Sequence, residues 1–339
     1  MSGPPQPRAG RGSARSGPES GEVRRAGTPI VALAGGVGAA RFLRGLVRAV
    51  APEDLTAIVN TGDDRAFYGV HVSPDLDIVT YTLAGIVDPV RGFGIEGDRF
   101  DVIETLERLG HETWFRLGDR DLAHCLHRTE RLRRGEGLAS ITDALRRAHG
   151  VAVRILPMSE DPCPTRVGLR GGRSVHFEEY LVRDGAPDEV ERVDLGAARA
   201  ARPAPGVLEA LGAARVVLVC PSNPVVSIGP ILAVPGVRRA LAEGNATVVA
   251  ISPIVGGAPV KGPADRLLRA QGHEVSARGV ARLYGALLDG YVLDQRDAAQ
   301  AADVEALGVR TRVVDTLMRT PEIAAGLART ALELAASLR

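Results

Sequence analysis

Two acidic motifs carry the side chains that a divalent cation would need. NTGDD ends in Asp63 and Asp64, and SPDLD contains Asp75 and Asp77. Adjacent carboxylates repel one another unless water or a cation neutralises them. Mg²⁺ binds one or two carboxylates together with phosphate oxygens and water. We therefore expect a Mg²⁺ ion, held against a diphosphate by ligands drawn from these four aspartates.

Each acidic motif also has a purely structural explanation. Gly and Asp are common turn residues, so NTGDD also suits a polar turn without a ligand. In SPDLD, Ser73 can cap a helix that has Pro74 at its first position, and aspartates stabilise the first turn of a helix. The helix explanation accounts for one aspartate and leaves the other able to bind a ligand.

A glycine-rich segment, AGGVGAARFL, lies between an apolar run and a helical pattern predicted over Arg41–Val50. Gly35, Gly36 and Gly38 allow backbone N–H groups to approach a phosphate, and the helix adds a positive dipole. The segment is not a Walker A loop, because no Gly-Lys-Ser/Thr follows, and Arg41 replaces the third glycine of the Rossmann fingerprint. We expect anion binding here; a tight turn without a ligand is the alternative.

Three further segments offer polar groups to a ligand. Arg120 of LGDRD can grip a phosphate or carboxylate with two N–H groups, with a surface ion pair as the alternative, and Asp119 suits a helix cap. Ser222, Asn223 and Ser227 form a polar loop after a buried apolar run, and SPIVGGAPVKGPA follows the next such run. Two loops that each leave a strand are expected to line the same crevice.

The elements that must position these groups follow a repeated strand-helix order. Short apolar strands alternate with helical patterns, which predicts a doubly wound, mostly parallel α/β sheet of the Rossmann-like class. We predict its strands over Pro29–Ala34, Leu55–Asn60, Val151–Leu156, Arg215–Val219, Thr247–Ile251, Gly290–Leu293 and Arg312–Val314.

One α/β domain is predicted over residues 28–339, with a helical insertion over approximately residues 75–150. Residues 1–27 are rich in Gly, Pro, Ser and Arg without periodicity, which predicts a disordered tail. Val175–Val182 alternates and predicts a hairpin strand. Thr320, followed by Pro and Glu, predicts the capped start of the last helix.

Composition argues against several classes of protein. Net charge is +1, with 42 basic and 41 acidic residues, which argues against general nucleic-acid binding. No apolar run approaches the roughly 20 residues of a membrane span, and no signal-peptide pattern is present, so we expect a cytoplasmic protein. Three cysteines lie far apart without a CxxC motif, which argues against a zinc site or a disulfide framework.

Taken together, the motifs resemble one family, the 2-phospho-lactate transferases, which include the actinobacterial phosphoenolpyruvyl transferases. The resemblance begins near Ile30 and runs through GGVGAARFL, NTGDD, SPDLD, GFGIEGD, WFRLGDRDLA, LPMSEDPCPT, PSNPVVSIGPILAVPG, SPIVGGAPVKGPA and DTLM. It implies a usually dimeric enzyme that requires Mg²⁺. A lactyl or enolpyruvyl phosphate would pass from a guanosine diphospho-linked donor to the ribityl hydroxyl of 7,8-didemethyl-8-hydroxy-5-deazariboflavin (Fo), giving GMP and a precursor of coenzyme F420.

The residues suit that chemistry, because phosphoryl transfer mainly needs positioning and charge neutralisation. One aspartate of NTGDD and one of SPDLD would hold Mg²⁺, and one of them would orient or deprotonate the attacking hydroxyl. Arg120, with Arg91 or Arg116, would neutralise the leaving phosphate or contact the acceptor. The glycine loop and the Ser222-Asn223 loop would cradle the nucleotide. The candidates for stacking on the deazaflavin ring are Phe67, Tyr68, Phe93 and Trp114.

Two other functions stay open at this level. A sister group of nucleotide-sugar-binding regulators shares the glycine loop and an NTxDD-like segment, and binding of a uridine sugar without turnover would favour it. An NAD-linked oxidoreductase needs a ribose-binding acid about 20 residues after the glycine loop, and Asp63 lies in range, although beside a second aspartate. The LGDRD helix and the GFGIEGD stretch favour the transferase.

Overall fold

The computed structural model describes residues 27–339, so the predicted tail lies outside it except for Gly27. The strands are β1 (Ile30–Ala34), β2 (Leu55–Val59), β3 (Arg65–Phe67), β4 (Val70–Val72), β5 (Arg154–Pro157), β6 (Arg166–Leu169), β7 (Ser174–His176), β8 (Val190–Asp194), β9 (Val216–Val219), β10 (Thr247–Ile251), β11 (Ile254–Val255), β12 (Ala258–Pro259), β13 (Gly290–Asp294) and β14 (Arg310–Val314).

The α-helices are α1 (Gly36–Leu46), α2 (Pro74–Leu83), α3 (Asp101–Arg108), α4 (Asp119–Arg133), α5 (Leu138–Ala148), α6 (Gly196–Ala200), α7 (Val207–Ala213), α8 (Ile228–Ala233), α9 (Val237–Glu243), α10 (Ala264–Ala270), α11 (Ala277–Tyr284), α12 (Ala301–Glu305) and α13 (Pro321–Ala336). Thr320 caps α13 as predicted, since its Oγ1 accepts a hydrogen bond from Ile323 N at 3.3 Å. No helix within residues 27–339 is long and apolar enough to cross a membrane.

Seven parallel strands form the central sheet, in the order β14-β13-β10-β9-β1-β2-β5. Winding starts at β1, proceeds through β2 to β5, and then returns to β9 on the other side of β1. The predicted doubly wound, parallel α/β class is therefore confirmed. Because the winding direction reverses between β1 and β9, a ligand crevice is expected above the carboxyl ends of these two strands.

Both faces of the sheet are covered, which explains why its strands are continuous apolar runs. In β1 the side chains alternate between the two faces. Ile30, Ala32 and Ala34 pack in a core with α1, α2 and α13, whereas Val31 and Leu33 pack in the core on the opposite face. This double burial holds β1 rigidly at the centre, directly beneath the glycine loop.

Two insertions rise beside the crevice. The crossover from β2 to β5 contains the β3–β4 hairpin and α2 to α5, and the segment between β5 and β9 contains a three-stranded antiparallel sheet, β7-β6-β8. The prediction of one strand over Val175–Val182 is wrong. The strand ends at His176, and Glu179–Arg183 form a π-helical turn that buries Tyr180 completely.

Candidate active site

A cavity of about 800 Å³ lies above the carboxyl ends of the central strands, at the point where the winding reverses. This volume lies in the upper part of the range that is usual for small-molecule and cofactor sites. The segments that follow β1, β2, β9, β10 and β14 all contribute to its wall. Apart from the stacking candidates, eleven of the thirteen candidate site residues line it: Gly35, Gly36, Gly38, Asp63, Asp75, Asp77, Arg91, Arg116, Ser222, Asn223 and Ser227. The stacking candidates Phe93 and Trp114 line it as well. Asp64 and Arg120 are not in this lining.

The glycine segment forms the first turn of α1, so this helix begins at Gly36 rather than at Arg41 as predicted. Gly36 has a φ of +68°, a conformation that favours glycine. Gly38 has no room for a side chain, because a Cβ there would lie 2.3 Å from the carbonyl oxygen of Pro221. The N-terminus of α1 is thereby packed directly against the loop that follows β9.

Asn60 links three of the loops around the cavity. Its side-chain amide is buried and donates hydrogen bonds to Asp75 Oδ2 at 2.9 Å and to the carbonyl oxygen of Val226 at 3.3 Å. Its Oδ1 accepts from Gly62 N at 2.8 Å. Ser222 Oγ adds a fourth connection by donating to the carbonyl oxygen of Gly35 at 2.7 Å.

Asp75 connects the acidic motif to the glycine loop. Gly36 N donates to Asp75 Oδ1 at 2.7 Å, so this carboxylate lies at the positive end of α1. Burial nevertheless raises the pKa of Asp75 to about 6, against the lowering effect of the Asn60 and Gly36 hydrogen bonds. Two hydrogen-bond donors therefore hold the Asp75 carboxylate in place. Ionising this buried group still costs free energy unless a further positive charge lies beside it.

Asp63 is buried in the wall of the same cavity. Its Oδ1 has no hydrogen-bond partner among the described residues. Burial raises its pKa well above the ordinary value, and the negative charges of Asp75 and Glu178 raise it further. Asp64 is a third acid that raises it. A cation would relieve the repulsion at a buried carboxylate oxygen that has no hydrogen-bond partner and three acidic neighbours.

Asp64 lines a second cavity of about 570 Å³ instead. Its Oδ2 accepts a hydrogen bond from Ser73 Oγ at 2.7 Å and lies 3.0 Å from His71 Nε2. The expected capping of α2 by Ser73 is therefore wrong, because the Ser73 hydroxyl is directed to Asp64 rather than to the helix. The two aspartates of NTGDD do not share one site.

Asp77 lines the first cavity but forms an ion pair with the buried guanidinium of Arg128 in α4. Arg128 is only 1% exposed. Asp77, Asp121 and Cys125 bring three potential metal-ligating atoms within 4.8 Å of one another. We do not assign a metal to that group, because Arg128 already supplies the positive charge beside Asp77.

Arg120 belongs to the framework at the start of α4. Its Nη2 donates to the carbonyl oxygen of Glu96 at 2.5 Å, and its side chain is largely exposed.

The prediction that Asp119 caps α4 is wrong. Asp98 accepts from Arg120 N and Asp121 N, each at 3.0 Å, whereas Asp119 accepts from Val102 N in the first turn of α3. The two aspartates thus tie the GFGIEGD loop, α3 and α4 together.

Comparison with known proteins places these features in a family. The model of the 2-phospho-L-lactate transferase CofD family matches residues 30–320. A phosphoenolpyruvate transferase of Streptomyces griseus is 48% identical over 315 residues, which cover 91% of this chain and 99% of that protein. A 2-phospho-L-lactate transferase of Methanosarcina mazei is 40% identical over 293 residues, covering 86% of this chain and 96% of that protein.

The chain belongs to the CofD family. It is thus a CofD-type phosphoenolpyruvate or 2-phospho-L-lactate transferase, of the family that acts in coenzyme F420 biosynthesis. A crystal structure of a UPF0052 family protein from Bacillus halodurans shares the fold, with a TM-score of 0.63 and 18% identity, covering 90% of this chain and 98% of that one.

Several residues of this CofD-type cavity were missed from the sequence. Glu178 is buried beside Asp63 and Asp75, and burial followed by the charge of Asp75 raises its pKa to about 8. Arg41 and Lys261 line the cavity near the glycine loop, and burial together with the charge of Arg41 lowers the pKa of Lys261. The one available signal was that Lys261 is the sole lysine of the chain.

Proposed function

We propose that this chain transfers a phosphoenolpyruvyl or 2-phospho-L-lactyl group from its guanosine diphospho-linked donor to the ribityl hydroxyl of Fo. The products would be GMP and (dehydro) coenzyme F420-0. The observation that carries the proposal is the hydrogen bond from Gly36 N to Asp75 Oδ1. It joins the anion-binding end of α1 to the acidic wall, so a diphosphate and a cation can bind side by side in one cavity.

We propose Asp63 and Asp75 as the protein ligands of Mg²⁺. Both offer hard carboxylate oxygens, and the buried Oδ1 of Asp63 lacks a partner among the described residues. Asp64 and Asp77, the other two predicted ligands, are engaged by Ser73 and His71 and by Arg128, so we assign them to positioning. When bound, Mg²⁺ would neutralise charge on the donor diphosphate.

The phosphates would lie against the first turn of α1. Asp75 occupies the N–H of Gly36, which leaves the next N–H groups of this turn, those of Val37 and Gly38, for the ligand. The guanosine part would extend over the loops that follow β9, β10 and β14. Ser222, Asn223 and Ser227, all in the loop after β9, line the cavity there. Arg41 and Lys261 would add positive charge beside the donor phosphates.

In the reaction, the ribityl oxygen would attack the phosphorus that carries the three-carbon acid. A new P–O bond forms to Fo, the bridging P–O bond to GMP breaks, and the hydroxyl proton passes to a base. Either Asp63 or Asp75, whose side chains line the cavity, would orient the hydroxyl or accept its proton. Arg91 and Arg116, which line the cavity, would contact the acceptor or the leaving phosphate. Arg120, outside the lining, would hold the loop in place.

We further propose that the enzyme works in the cytoplasm as a homodimer. The three cysteines, at positions 125, 163 and 220, are unpaired and buried, which suits a reducing compartment. The homodimer follows the family resemblance. Sedimentation analysis of the purified full-length chain tests it directly, and a monomer at assay concentrations would contradict it.

A turnover assay read by mass spectrometry tests the proposed function. The full-length chain is mixed with Fo, Mg²⁺ and either the lactyl or the enolpyruvyl guanosine donor, with EDTA as the control. Formation of the phosphodiester product and GMP, lost with EDTA, supports the proposal, and the preferred donor identifies the acid. Absence of product with both donors contradicts it, and binding of a uridine sugar without turnover would then point to a regulator.

A further inference from the structure

Two histidines on different helices face each other outside the active-site cavity. His124 is in α4, and His149 is the residue that caps the C-terminal end of α5. Their Nε2 atoms are 2.7 Å apart, and their ring centroids are 4.9 Å apart with the planes at 30°. The two residues are 25 positions apart in the chain, so the packing of α4 against α5 brings the imidazoles together. Neither residue lines the two cavities described above.

The hydrogen bonds around this histidine pair define which nitrogen atoms carry protons. His124 Nδ1 lies 2.7 Å from the carbonyl oxygen of Arg120, which can only accept, so Nδ1 is the protonated nitrogen of this ring. In the neutral ring, His124 Nε2 therefore has a free lone pair, and His149 Nε2 donates a hydrogen bond to it. One proton thus lies between two converging nitrogen atoms. A metal ion that replaces this proton would be bound by both of them.

The histidine pair has the chemistry of a transition-metal site. Imidazole nitrogen is a preferred ligand of Zn²⁺, Ni²⁺ and Cu²⁺. A histidine that binds a metal usually donates its other ring N–H to a carbonyl or carboxylate oxygen, which fixes the ring. The contact of His124 Nδ1 with the carbonyl oxygen of Arg120 already provides this support.

The surroundings of the pair leave room for an ion. Zn–N bonds of about 2.0–2.1 Å in tetrahedral geometry place the two nitrogen atoms about 3.3 Å apart, so the rings must separate by roughly 0.6 Å. Both histidines are only partly buried, and Ala123, Ala148 and Gly150 beside them are exposed. An ion and the water molecules that complete its coordination can therefore reach the pair from solvent.

The nearest arginines along the two helices are neutralised by acids. Arg128, four residues after His124 in α4, forms the buried ion pair with Asp77. Arg146, in the last turn of α5, forms an ion pair with Asp143. Because each guanidinium has its own carboxylate, neither presents an uncompensated positive charge to a cation on the histidine pair.

Tyr81 connects the histidine pair to the active-site cavity. Its ring meets the ring of His124 edge to face, with centroids 5.2 Å apart, and the ring of His149 at 6.4 Å. Its hydroxyl donates to Asp121 Oδ1 at 2.9 Å. Tyr81 and Asp121 both line the cavity of about 800 Å³. An ion that holds α4 and α5 together behind Tyr81 would therefore restrict the movement of this part of the cavity wall.

We propose that His124 and His149 form a binding site for a divalent transition-metal ion, of the class of Zn²⁺, Ni²⁺ and Cu²⁺, which clamps α4 to α5. The site is separate from the Mg²⁺ site proposed at Asp63 and Asp75, and it does not depend on the transfer reaction. Mg²⁺ should not occupy the histidine pair, because it prefers oxygen ligands in octahedral geometry.

Titration calorimetry of the full-length chain with Zn²⁺, in the presence of excess Mg²⁺, tests the site. Saturating Zn²⁺ should raise the melting temperature by at least about 2 °C. His124→Gln and His149→Gln should each weaken Zn²⁺ binding at least about tenfold and remove this rise. His127→Gln is the matched control, since this histidine is exposed on the same helix as His124. It should leave the Zn²⁺ affinity within about twofold of the parent.

Electron paramagnetic resonance of the Cu²⁺-loaded parent chain gives a second readout that needs no variant. Coupling of the Cu²⁺ electron to two imidazole nitrogens supports the site, and a spectrum without nitrogen coupling would overturn it. Unchanged Zn²⁺ affinity in His149→Gln would also overturn it.

Two further variants identify a different location for the ion. Loss of Zn²⁺ binding in Cys125→Ser would overturn the proposal and place the ion at the group of Asp77, Asp121 and Cys125. Loss of Zn²⁺ binding in Asp63→Asn would overturn it in favour of the proposed Mg²⁺ site. A chain that binds Zn²⁺ through the histidine pair but gives no turnover would support this site and contradict the proposed function.

Discussion

Asp63 and Asp64 are neighbours in the chain, yet their carboxylates border different cavities. Asp63 has an unpartnered oxygen in the wall of the active-site cavity, whereas Asp64 is hydrogen-bonded by Ser73 behind the same loop. Two consecutive positions of one loop therefore differ in role: the first is placed to bind a cation, and the second is placed to hold the loop. Equal charge and adjacent position do not give the two aspartates equal roles.

Replacing these two aspartates one at a time should give different defects. Asp63→Asn should lower kcat/KM by at least about 100-fold, because it removes a ligand from the metal site. Its stability without Mg²⁺ should be unchanged or higher, because burial and neighbouring acids disfavour a charge there. Its melting temperature should no longer rise when Mg²⁺ is added. Steady-state kinetics and thermal melts measure these effects.

Asp64→Asn is the matched control. It should retain activity within about tenfold and should still melt at a higher temperature when Mg²⁺ is added, because Asp64 borders the second cavity and contacts Ser73 and His71. A larger loss of activity in Asp64→Asn than in Asp63→Asn would contradict the assignment of Asp63 to the metal.

Gly38→Ala should disturb the part of the site that is proposed to bind the donor. The added methyl would lie 2.3 Å from the carbonyl oxygen of Pro221, so α1 or the loop after β9 must move. We expect a loss of about 1–3 kcal/mol in unfolding free energy and a larger rise in KM for the donor than for Fo. Denaturant unfolding and initial-rate kinetics check both expectations.

Gly212→Ala in α7 is the control for this substitution. A Cβ at Gly212 meets no heavy atom within 4 Å, so alanine there should raise stability by up to about 1 kcal/mol. A Gly38→Ala protein that is as stable and as active as the parent would show that the close packing of α1 against Pro221 is unimportant.

Removing Arg128 should destabilise the protein strongly. Arg128→Met leaves the Asp77 carboxylate buried without its partner, and we expect a loss of about 3–5 kcal/mol in unfolding free energy. The double variant Asp77→Leu/Arg128→Met should recover most of that loss, because neither charge then remains. Arg134→Met breaks the exposed pair with Glu130 and should cost less than about 1 kcal/mol. Equal losses in the two single variants, measured by urea unfolding, would be inconsistent with a buried pair.

The stability of the metal-free protein should fall as pH rises. Burial, and then the charge of Asp75, raise the pKa of Glu178 from its ordinary 4.5 to about 8 in the folded state. Between these values the folded chain keeps a proton that the unfolded chain loses, so the unfolding free energy decreases with increasing pH.

Glu178→Gln should flatten this dependence and make the metal-free protein more stable than the parent near pH 8, by on the order of 1 kcal/mol or more. Glu209→Gln, at an exposed position, should leave the slope as it is. Unfolding curves at a series of pH values with EDTA present measure it. A slope as steep in Glu178→Gln as in the parent would show that Glu178 is not the group responsible.

Short sequence patterns predicted strands and helix ends well where neighbouring residues determine those features. The strand Thr247–Ile251 has its predicted ends, because a continuous apolar run is what a doubly covered parallel strand requires. The cap by Thr320 was also predicted, since it involves only residues three positions apart. The strand predicted over Val175–Val182 failed, because the burial of Tyr180 in the main core outweighs the alternation.

The directions of the side chains in the site could not be predicted from short stretches of sequence. Asn60 holds the NTGDD loop through the carbonyl oxygen of Val226, 166 residues later in the chain. Asp98 caps α4 from a preceding loop, a role that the sequence suggested for Asp119. In each case a neighbour distant in sequence decides the direction of the group.

The sequence by itself determined the family, the doubly wound class and the kinds of chemical group available, because motifs and apolar periodicity are properties of short segments. Only the tertiary structure decided that Asp63 and Asp75 share a cavity while Asp64 lies behind it and Arg128 neutralises Asp77. It also brought Glu178 and Phe177 to the site from a separate insertion. The physical reason is that side chains in loops take their direction from long-range packing and hydrogen bonds, which no short stretch of sequence encodes.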